Sequence, residues 1–311
     1  MEKYEYIPGK SSFSKGAAIA LGLFDGIHKG HRYLLEKAKA LAEKNGLVFA
    51  VFTFRSEGNF FKGSPPIYST EDKLYLLESF GVEAVILADF DKISGISAED
   101  FIYSSLIQDM NCKAAIFGED FKFGNKASGN ADMLDSALKK RGLISLIVDE
   151  QTENGKKIST SLIKELLTSG DVKAAAHLLG MPYFIKSRVS HGEGIGKTLG
   201  FPTVNISLQN NPLQIKHGVY SSAVLIGKEF HTGITNIGVC PTFNTREAHS
   251  ETYIIDYSGN LYEKEITVFL LDFIREEKRF KNANELVCQI KKDEEKAKKD
   301  WIKTWQEIGL N

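Results

Sequence analysis

Short apolar runs alternate with helix-length segments between residues 17 and 148 of this 311-residue chain. The segments with a helical pattern lie near 31–45, 70–80, 97–109 and 130–140, and two shorter ones follow at 160–168 and 171–180. Several apolar runs are almost continuous, as strands covered on both faces are. This rhythm predicts an α/β domain in which helices cover both faces of a parallel sheet. The predicted strands are Ala17–Leu21, Leu47–Phe54, Ala84–Leu87, Ala114–Phe117 and Leu143–Val148.

The pattern changes after Met181-Pro182, and we place a domain boundary there, giving domains 1–182 and 183–311. Closely spaced runs separated by Gly, Asn and Pro predict a small antiparallel barrel in the second domain. A C-terminal helix follows, because apolar residues recur there at near-helical spacing. The predicted strands are 183–190, 218–226, 230–237, 251–255 and 261–270, and the helix positions are Leu286, Ile290, Ala297, Trp301 and Trp305.

Composition excludes some functions. Lys and Arg (39) nearly balance Asp and Glu (40), so we expect no nucleic acid as the main partner. No apolar run is long enough to cross a bilayer, and we expect no membrane association. Cys112, Cys240 and Cys288 are too far apart to suggest a disulfide framework. They favour a reducing compartment, so we expect a cytoplasmic protein. The sequence leaves the oligomeric state open.

The first candidate site is the segment Gly22-Leu23-Phe24-Asp25-Gly26-Ile27-His28-Lys29-Gly30-His31, where the first strand of the rhythm ends and a helix begins. Ligands bind beyond the carboxyl ends of parallel strands. Gly22, Gly26 and Gly30 allow tight turns, and a helix start favours an anion. The histidines and lysine at this helix start therefore indicate a phosphate. A solvent-facing turn is the alternative, and metal binding by His28 and His31 lacks a third ligand at a telling spacing.

A second element near residue 160 is expected to bring more donors to that phosphate. Ser159, Thr160 and Ser161 are good helix-capping residues, which is their plain structural interpretation. Lys164 adds a cation close to the start of the same helix, which again indicates a bound anion.

The second candidate site is the glycine-rich segment from Gly192 to Asn205. It is not a Walker A loop, because His191 stands where that motif requires glycine. Gly194, Gly196 and Lys197 could still surround phosphates. Thr203 and Asn205 lie two apart, so on an extended strand both oxygens would point one way, toward Mg²⁺. A plain glycine loop leading into a strand is the alternative.

These motifs resemble known families. The first segment and Lys157–Lys164 resemble the H-x-G-H nucleotidyltransferase superfamily, and the second is similar to the glycine-rich motif of riboflavin kinases. Three further stretches match, and together the motifs follow the order of the bacterial bifunctional riboflavin kinase/FAD synthetase family. The further stretches are Phe117–Gly124, Thr235–Phe243 and Phe273–Phe280.

The resemblance implies a Rossmann-like nucleotidyltransferase domain followed by a six-stranded kinase barrel with a C-terminal helix. It implies ATP, riboflavin, FMN and FAD as ligands and Mg²⁺ as cofactor. His28 and His31 would stabilise charge on the ATP phosphates, Glu251 would be the base of the kinase, and Arg275 would contact flavin. The residues expected to bind ATP or its phosphates are Gly22, Phe24, Asp25, Gly26, Gly30, Ser159, Thr160, Ser161, Lys164, Gly194, Gly196 and Lys197, and those expected to bind metal are Thr203 and Asn205.

Three departures from the family pattern fall in the first domain. Arg55-Ser56-Glu57-Gly58 stands where D-P-H-P is usual, Lys164 replaces Arg, and Asn125–Ser128 is less basic than is common. The leading hypothesis is that both reactions run. The first alternative is a riboflavin kinase with a vestigial N-terminal domain, and the second is a non-catalytic flavin- or nucleotide-binding regulatory protein.

Overall fold

The computed structural model describes residues 1–10, 13–57, 64–153, 155–190, 196, 200–209, 211–239 and 248–308, with 239, 248 and 302–308 as backbone only. Gly58, Gly194, Lys197 and the stretch 240–243 lie outside the described residues. Contacts divide the chain into two compact units, Met1–Thr160 and Ser161–Asn311. This division precedes residue 182, because two helices between the predicted sheet and the predicted barrel group with the second unit. The boundary near 182 stays a prediction.

The first unit contains a sheet of six parallel strands in the order β1-β4-β3-β2-β5-β8. The predicted parallel sheet is confirmed, and strands β2, β3 and β4 are almost wholly buried, as their apolar runs require. The strands of this sheet are β1 (Glu2–Glu5), β2 (Ala17–Leu21), β3 (Val48–Phe54), β4 (Ala84–Ala88), β5 (Cys112–Gly118) and β8 (Ile144–Val148). Two short hairpins, β6 (Lys122–Phe123) with β7 (Gly129–Asn130) and β9 (Thr152–Glu153) with β10 (Lys156–Lys157), accompany it.

The helices start and stop where local chemistry predicts. Ser69 accepts a hydrogen bond from the Asp72 amide at the start of α2, and Gly46 ends α1 in the left-handed region. The predicted helix 97–109 is one α-helical turn, α4, that continues as a π-helix over Phe101–Asp109. The helices are α1 (Lys29–Asn45), α2 (Thr70–Ser79), α3 (Phe90–Ile93), α4 (Ala98–Asp100), α5 (Ala131–Lys139), α6 (Thr160–Ser169), α7 (Val172–Leu179) and α8 (Ala283–Ile308).

Strand order fixes where a ligand can enter the first unit. After β2 the chain adds β3 and β4 on one side, and then crosses over to add β5 and β8 on the other. The ends of β2 and β5 therefore lie at a topological switch point, where open parallel sheets bind ligands. The glycine loop that precedes α1 leaves the sheet at this point.

The second unit contains a closed barrel of six antiparallel strands in the order β11-β12-β15-β14-β13-β16, as expected. Helix α8 packs on β13, β14 and β16 through its fully buried Ala297, and its Asp300 accepts a hydrogen bond from Ser221 Oγ (2.7 Å). The barrel strands are β11 (Phe184–Ser190), β12 (Thr203–Ser207), β13 (Gly218–Ile226), β14 (Glu229–Val239), β15 (Ala248–Ile254) and β16 (Glu265–Arg275). None of the helices in the described part of the chain combines the length and apolar composition that a membrane crossing needs.

Candidate active sites

The first unit holds a cleft of about 760 Å³ at the carboxyl ends of its parallel strands. The segments after β2, β4, β5 and β8 meet there with the end of β3, as the switch point predicts. Of the residues proposed from the sequence for this site, Gly22, Phe24, His28, Gly30, His31, Ser159 and Thr160 line the cleft.

The two histidines form a stacked pair at the start of α1. His28 is the N-cap residue, and its Nδ1 accepts a hydrogen bond from the backbone N–H of His31 (3.3 Å). The two rings lie 3.7 Å apart between centroids and are inclined by only 16°. Because Nδ1 of His28 is an acceptor, a neutral His28 carries its proton on Nε2. That nitrogen is then a donor suited to a phosphate oxygen.

Burial keeps both imidazoles uncharged near neutral pH. It lowers the pKa of His28 from 6.5 to about 4, and the charge of Lys157 acts in the same direction. Burial also holds the pKa of His31 well below its usual value, and repulsion by the charge of Lys73, and by His28 when it is protonated, acts in the same direction. An anion bound against the rings would reverse this balance, because opposite charge favours the protonated form.

The loop between β2 and α1 is shaped to present this pair. Phe24 (φ 49°) and Ile27 (φ 45°) are buried non-glycine residues in the left-handed region, where side chains are strained. Such strain persists only where surrounding structure enforces it, and it clusters at functional sites. At Gly30, a Cβ atom would lie 3.2 Å from the His28 ring, so any side chain there would force the ring to shift by a few tenths of an ångström.

Two proposed residues of this loop do not line the cleft. Asp25 is buried beneath it, and its Oδ1 accepts a hydrogen bond from the Ile67 backbone N–H (2.7 Å). Gly26 lies beside it with φ 81°, a conformation that favours glycine. Neither residue lines the cleft, and their expected contact with ATP stays a prediction.

Only the first residues of the element near residue 160 line this cleft. Ser159 and Thr160 line the cleft, and Thr160 Oγ1 donates to the carbonyl oxygen of Asp25 (3.4 Å). Ser161 and Lys164 follow within α6, belong to the second unit, and are not among the residues that line the cleft. Their expected role in binding phosphate stays a prediction.

Sequence reasoning missed an aromatic wall of this cleft. Phe121 and Phe123 stack with centroids 5.6 Å apart, and Phe101 lies 5.2 Å from Phe123. Phe52 and Phe54 extend the wall from β3. Such a surface suits a planar heteroaromatic ring. Phe121 and Phe123 lie in the stretch Phe117–Gly124, which already resembles the family in sequence. Phe52 and Phe54 on β3 look like ordinary core residues in the sequence.

A cluster of charges borders the same cleft. Lys157 bonds to Asp120 (2.8 Å) and to Glu150, and these contacts raise the pKa of the lysine. Lys29 pairs with Glu153 at 3.3 Å. All five residues are at least partly exposed, so these pairs orient side chains more than they stabilise the fold.

The second unit has its own cleft, of about 320 Å³, at one side of the barrel. Gly196, Thr203, Asn205, Glu251 and Arg275 all line it, so the described residues proposed for the kinase site come together. A Cβ atom on Gly196 would lie 2.4 Å from the carbonyl oxygen of Phe201, so only glycine fits that close approach.

Strand register explains how the polar residues of this cleft converge. Glu251 on β15 pairs with Asn205 on β12 and with Asn236 on β14. Thr203, two residues before Asn205 on β12, pairs with Tyr253, two residues after Glu251 on β15. Directly opposed residues project from the same face with Cβ atoms roughly 5 Å apart. The carboxylate therefore lies between two amides, with a hydroxyl on the same face.

The donor set fits a magnesium ion. Mg²⁺ prefers oxygen ligands and keeps several waters or phosphate oxygens, so it needs only one or two groups from the protein. Thr203 and Asn205 supply oxygens, and the buried Oδ1 of Asn236 has no hydrogen-bond partner among the described residues. Within those residues, no group of three His, Cys, Asp or Glu side chains could hold a metal ion.

Arg275 is held by an ion pair at the edge of the cleft. Its Nε and Nη2 approach Asp293 Oδ2 at 3.0 and 2.9 Å, and the Asp293 side chain is 2% exposed. Gln289 donates a further hydrogen bond to the same carboxylate (2.8 Å). The guanidinium also lies 5.7 Å from the ring of Phe280. The arginine is thus fixed beside the cleft by α8, and contact with flavin stays a prediction.

Comparison with known proteins assigns each unit to a family. The FAD synthetase family model matches residues 10–162, and the riboflavin kinase family model matches residues 179–301. A bifunctional riboflavin kinase/FMN adenylyltransferase of Haemophilus influenzae is 37% identical over 295 residues, which cover 91% of this chain and 94% of the relative. The chain belongs to the bifunctional riboflavin kinase/FMN adenylyltransferase family.

Other members of this family show the same extent of similarity. The bifunctional riboflavin kinase/FMN adenylyltransferase of Bacillus subtilis is 34% identical, with 90% of this chain and 91% of the relative covered.

A crystal structure of a macrolide-efflux protein from Streptococcus pneumoniae is 29% identical and superposes with a TM-score of 0.86, over 96% of this chain and 99% of that one. The efflux activity in that protein's name is not carried over, because both family models and the curated relatives name flavin enzymes.

Proposed function

We propose that the chain makes FMN from riboflavin and ATP in the barrel, and FAD from FMN and ATP at the cleft of the first unit. The observation that carries this proposal is the presence of two separate clefts, each lined by its own motif set. Each cleft falls within the residues matched by the corresponding family model. The names of the curated relatives support both reactions.

In the proposed adenylyl transfer, a phosphate oxygen of FMN attacks the α-phosphorus of ATP and pyrophosphate leaves. This reaction needs positioning and charge stabilisation more than a protein nucleophile. His28 and His31 would donate N–H groups to the phosphates from the start of α1, where the helix dipole also favours negative charge. The aromatic wall formed by Phe52, Phe54, Phe101, Phe121 and Phe123 would hold a planar ring of either substrate.

In the proposed kinase reaction, the 5′-hydroxyl oxygen of riboflavin attacks the γ-phosphorus of ATP and ADP leaves. Glu251 would accept the hydroxyl proton, a role that requires only that the hydroxyl lie within hydrogen-bond reach. Asn205 and Asn236 hold the two flanking positions and would orient the reacting groups. Gly196 would allow the phosphates to approach the backbone closely.

We also propose Mg²⁺ as cofactor and the cytoplasm as location. Thr203 and Asn205 would hold the ion, which would neutralise charge on the ATP phosphates. The use of ATP supports the cytoplasm, and so do two free thiols among the described cysteines, Cys112 and Cys288.

Product chromatography tests the proposed function. Purified protein is incubated with ATP and MgCl₂ and either riboflavin or FMN, beside the variants His28→Asn and Glu251→Gln. His177→Asn and Glu229→Gln change exposed residues of the same types and serve as matched controls. We expect wild type and controls to form FAD from both substrates. We expect His28→Asn to stop at FMN, and Glu251→Gln to form FAD only when FMN is supplied.

Two outcomes contradict parts of the proposal. If wild type stops at FMN, the cleft of the first unit has no adenylyltransferase activity and the chain is a kinase with a vestigial partner domain. If neither product forms with any substrate, the enzymatic function is wrong for this chain.

A further inference from the structure

Lys73 is a lysine buried beneath the first cleft. Only 2% of its surface is exposed, although it lies on α2, whose neighbouring positions include exposed ones. Its Nζ donates to the carbonyl oxygen of Phe54 at 2.7 Å and to that of Leu23 at 3.4 Å. Thr53 Oγ1 donates to the same Leu23 oxygen at 2.8 Å. One ammonium therefore joins the end of β3 to the loop that precedes α1.

Burying an ammonium is unfavourable, so this position needs a reason for a lysine. Burial lowers the pKa of Lys73 to about 8, and the charges of Asp25 and Glu57 oppose that effect. An apolar side chain of similar length would fill the same space without the desolvation penalty, so packing alone does not explain a lysine here. What the lysine provides and an apolar residue would lack is a pair of charge-assisted hydrogen bonds to two backbone carbonyls.

Glu57 supplies one of the two negative charges and is itself held in place. Its Oε2 accepts a hydrogen bond from Thr70 Oγ1 (2.5 Å), and its Oε1 accepts one from the Thr70 backbone N–H (3.3 Å). The Ser56 backbone N–H donates to Thr70 Oγ1 (2.8 Å). Burial opposes ionisation of Glu57, yet these hydrogen bonds and Lys73 leave its pKa below the usual value. Glu57 belongs to the segment that departs from the family pattern.

The lysine also acts on the histidine pair. Its positive charge is one of the causes that hold the pKa of His31 low, together with burial and His28. The ionisable groups that face Lys73 are thus Asp25 from the β2–α1 loop, Glu57 from the end of β3, and His31 from α1. All belong to segments that build or border the first cleft.

We propose that Lys73 is a positioning residue for adenylyl transfer: its ammonium fixes the Leu23 carbonyl against the end of β3 and so sets the loop that presents His28 and His31. This inference rests on the proposed function of the first cleft. Loss of the ammonium would let the strained loop relax, and the N–H donors at the start of α1 would lose their alignment.

The test measures FAD formation from FMN in Lys73→Met, with Lys44→Met as control because Lys44 is exposed at the end of α1. FMN formation from riboflavin in the same sample reports whether the barrel is intact. We expect Lys73→Met to lower kcat for FAD formation by at least tenfold with little change in the KM for ATP. FMN formation should stay within twofold of wild type in both variants.

A pH profile separates positioning from simple structural support. The wild-type kcat/KM for FAD formation should fall above about pH 8, because a neutral amine makes weaker hydrogen bonds. Glu57→Gln should move this fall to lower pH, since Glu57 raises the pKa of the lysine. In Lys73→Met the fall should be absent. This readout through Glu57 remains informative even if Lys73→Met fails to fold.

Two results would overturn the inference. One is FAD formation by Lys73→Met within twofold of wild type. The other is an alkaline fall that keeps its position in Glu57→Gln. Failure of the proposed function gives a different result, because wild type would then form no FAD at any pH.

Discussion

The burial of His28 predicts that the first unit loses stability in mild acid. The pKa of this residue is 6.5 in its unperturbed state and about 4 in the folded protein. Between these values the unfolded chain binds the proton and the folded chain does not. Stability therefore falls as the pH drops through 6.5, and the loss from this residue is complete below about pH 4.

The size of the effect follows from the pKa difference. At about 1.36 kcal/mol per pKa unit, full protonation of the unfolded residue costs the folded state about 3 kcal/mol. Integration from pH 7.5 to pH 5.0 gives about 2 kcal/mol from His28 alone. His28→Asn should remove this part, because asparagine does not titrate and can still cap α1 by accepting the His31 N–H.

Urea unfolding at the two pH values, followed by circular dichroism, measures the effect. Both tryptophans, Trp301 and Trp305, lie in the second unit, so their fluorescence identifies the transition of that unit and separates it from the other. We expect the first unit of wild type to lose about 2 kcal/mol more than that of His28→Asn on acidification. Equal losses in the two proteins would refute the reasoning that burial keeps His28 neutral.

Three further substitutions probe the second unit. Gly196→Ala places a Cβ atom 2.4 Å from a backbone oxygen, and we expect FMN formation to fall at least tenfold while FAD formation from FMN persists. Asn205→Ala removes an oxygen ligand, so the Mg²⁺ concentration for half-maximal FMN formation should rise about tenfold, equivalent to about 1.4 kcal/mol. Asp293→Asn leaves Arg275 without its buried charged partner. It should lower the free energy of unfolding of the second unit, followed by tryptophan fluorescence, by about 3 kcal/mol. A decrease below about 1 kcal/mol would contradict the pair's structural role.

The sequence predicted the elements whose burial leaves a strong pattern. Strands β2 to β5 and β8 were found because most of them are covered on both faces and are nearly continuous in apolar residues. Strand β1 was missed because it is an exposed edge strand, and its charged residues carry no such signal. Strand β12 was foreseen only as the extended segment of Thr203 and Asn205, since Ile206 alone of its five residues is fully buried.

The candidate sites were predictable where a motif is local in sequence. His28 and His31 lie three residues apart, and Glu251 was placed by resemblance alone. The phenylalanines of β3 and Lys73 could not be found in this way, because only tertiary contacts place them at or next to the cleft. A lysine within a helical pattern indicates an exposed position. The burial of Lys73 and its hydrogen bonds to the carbonyl oxygens of Leu23 and Phe54 are visible only in the three-dimensional structure.

Under the proposed function the two clefts would handle ATP phosphates by different means, and this difference would make the two activities separable. In the first cleft, neutral imidazoles at the start of α1 would contact the phosphates, and their alignment depends on a strained loop. In the second, Thr203, Asn205 and Glu251 present oxygens from paired barrel strands, whose register is set by backbone hydrogen bonds. A perturbation of the loop should therefore act on adenylyl transfer and leave phosphorylation intact, whereas removal of a strand oxygen should do the reverse. Each unit thus serves as the internal folding control for substitutions in the other.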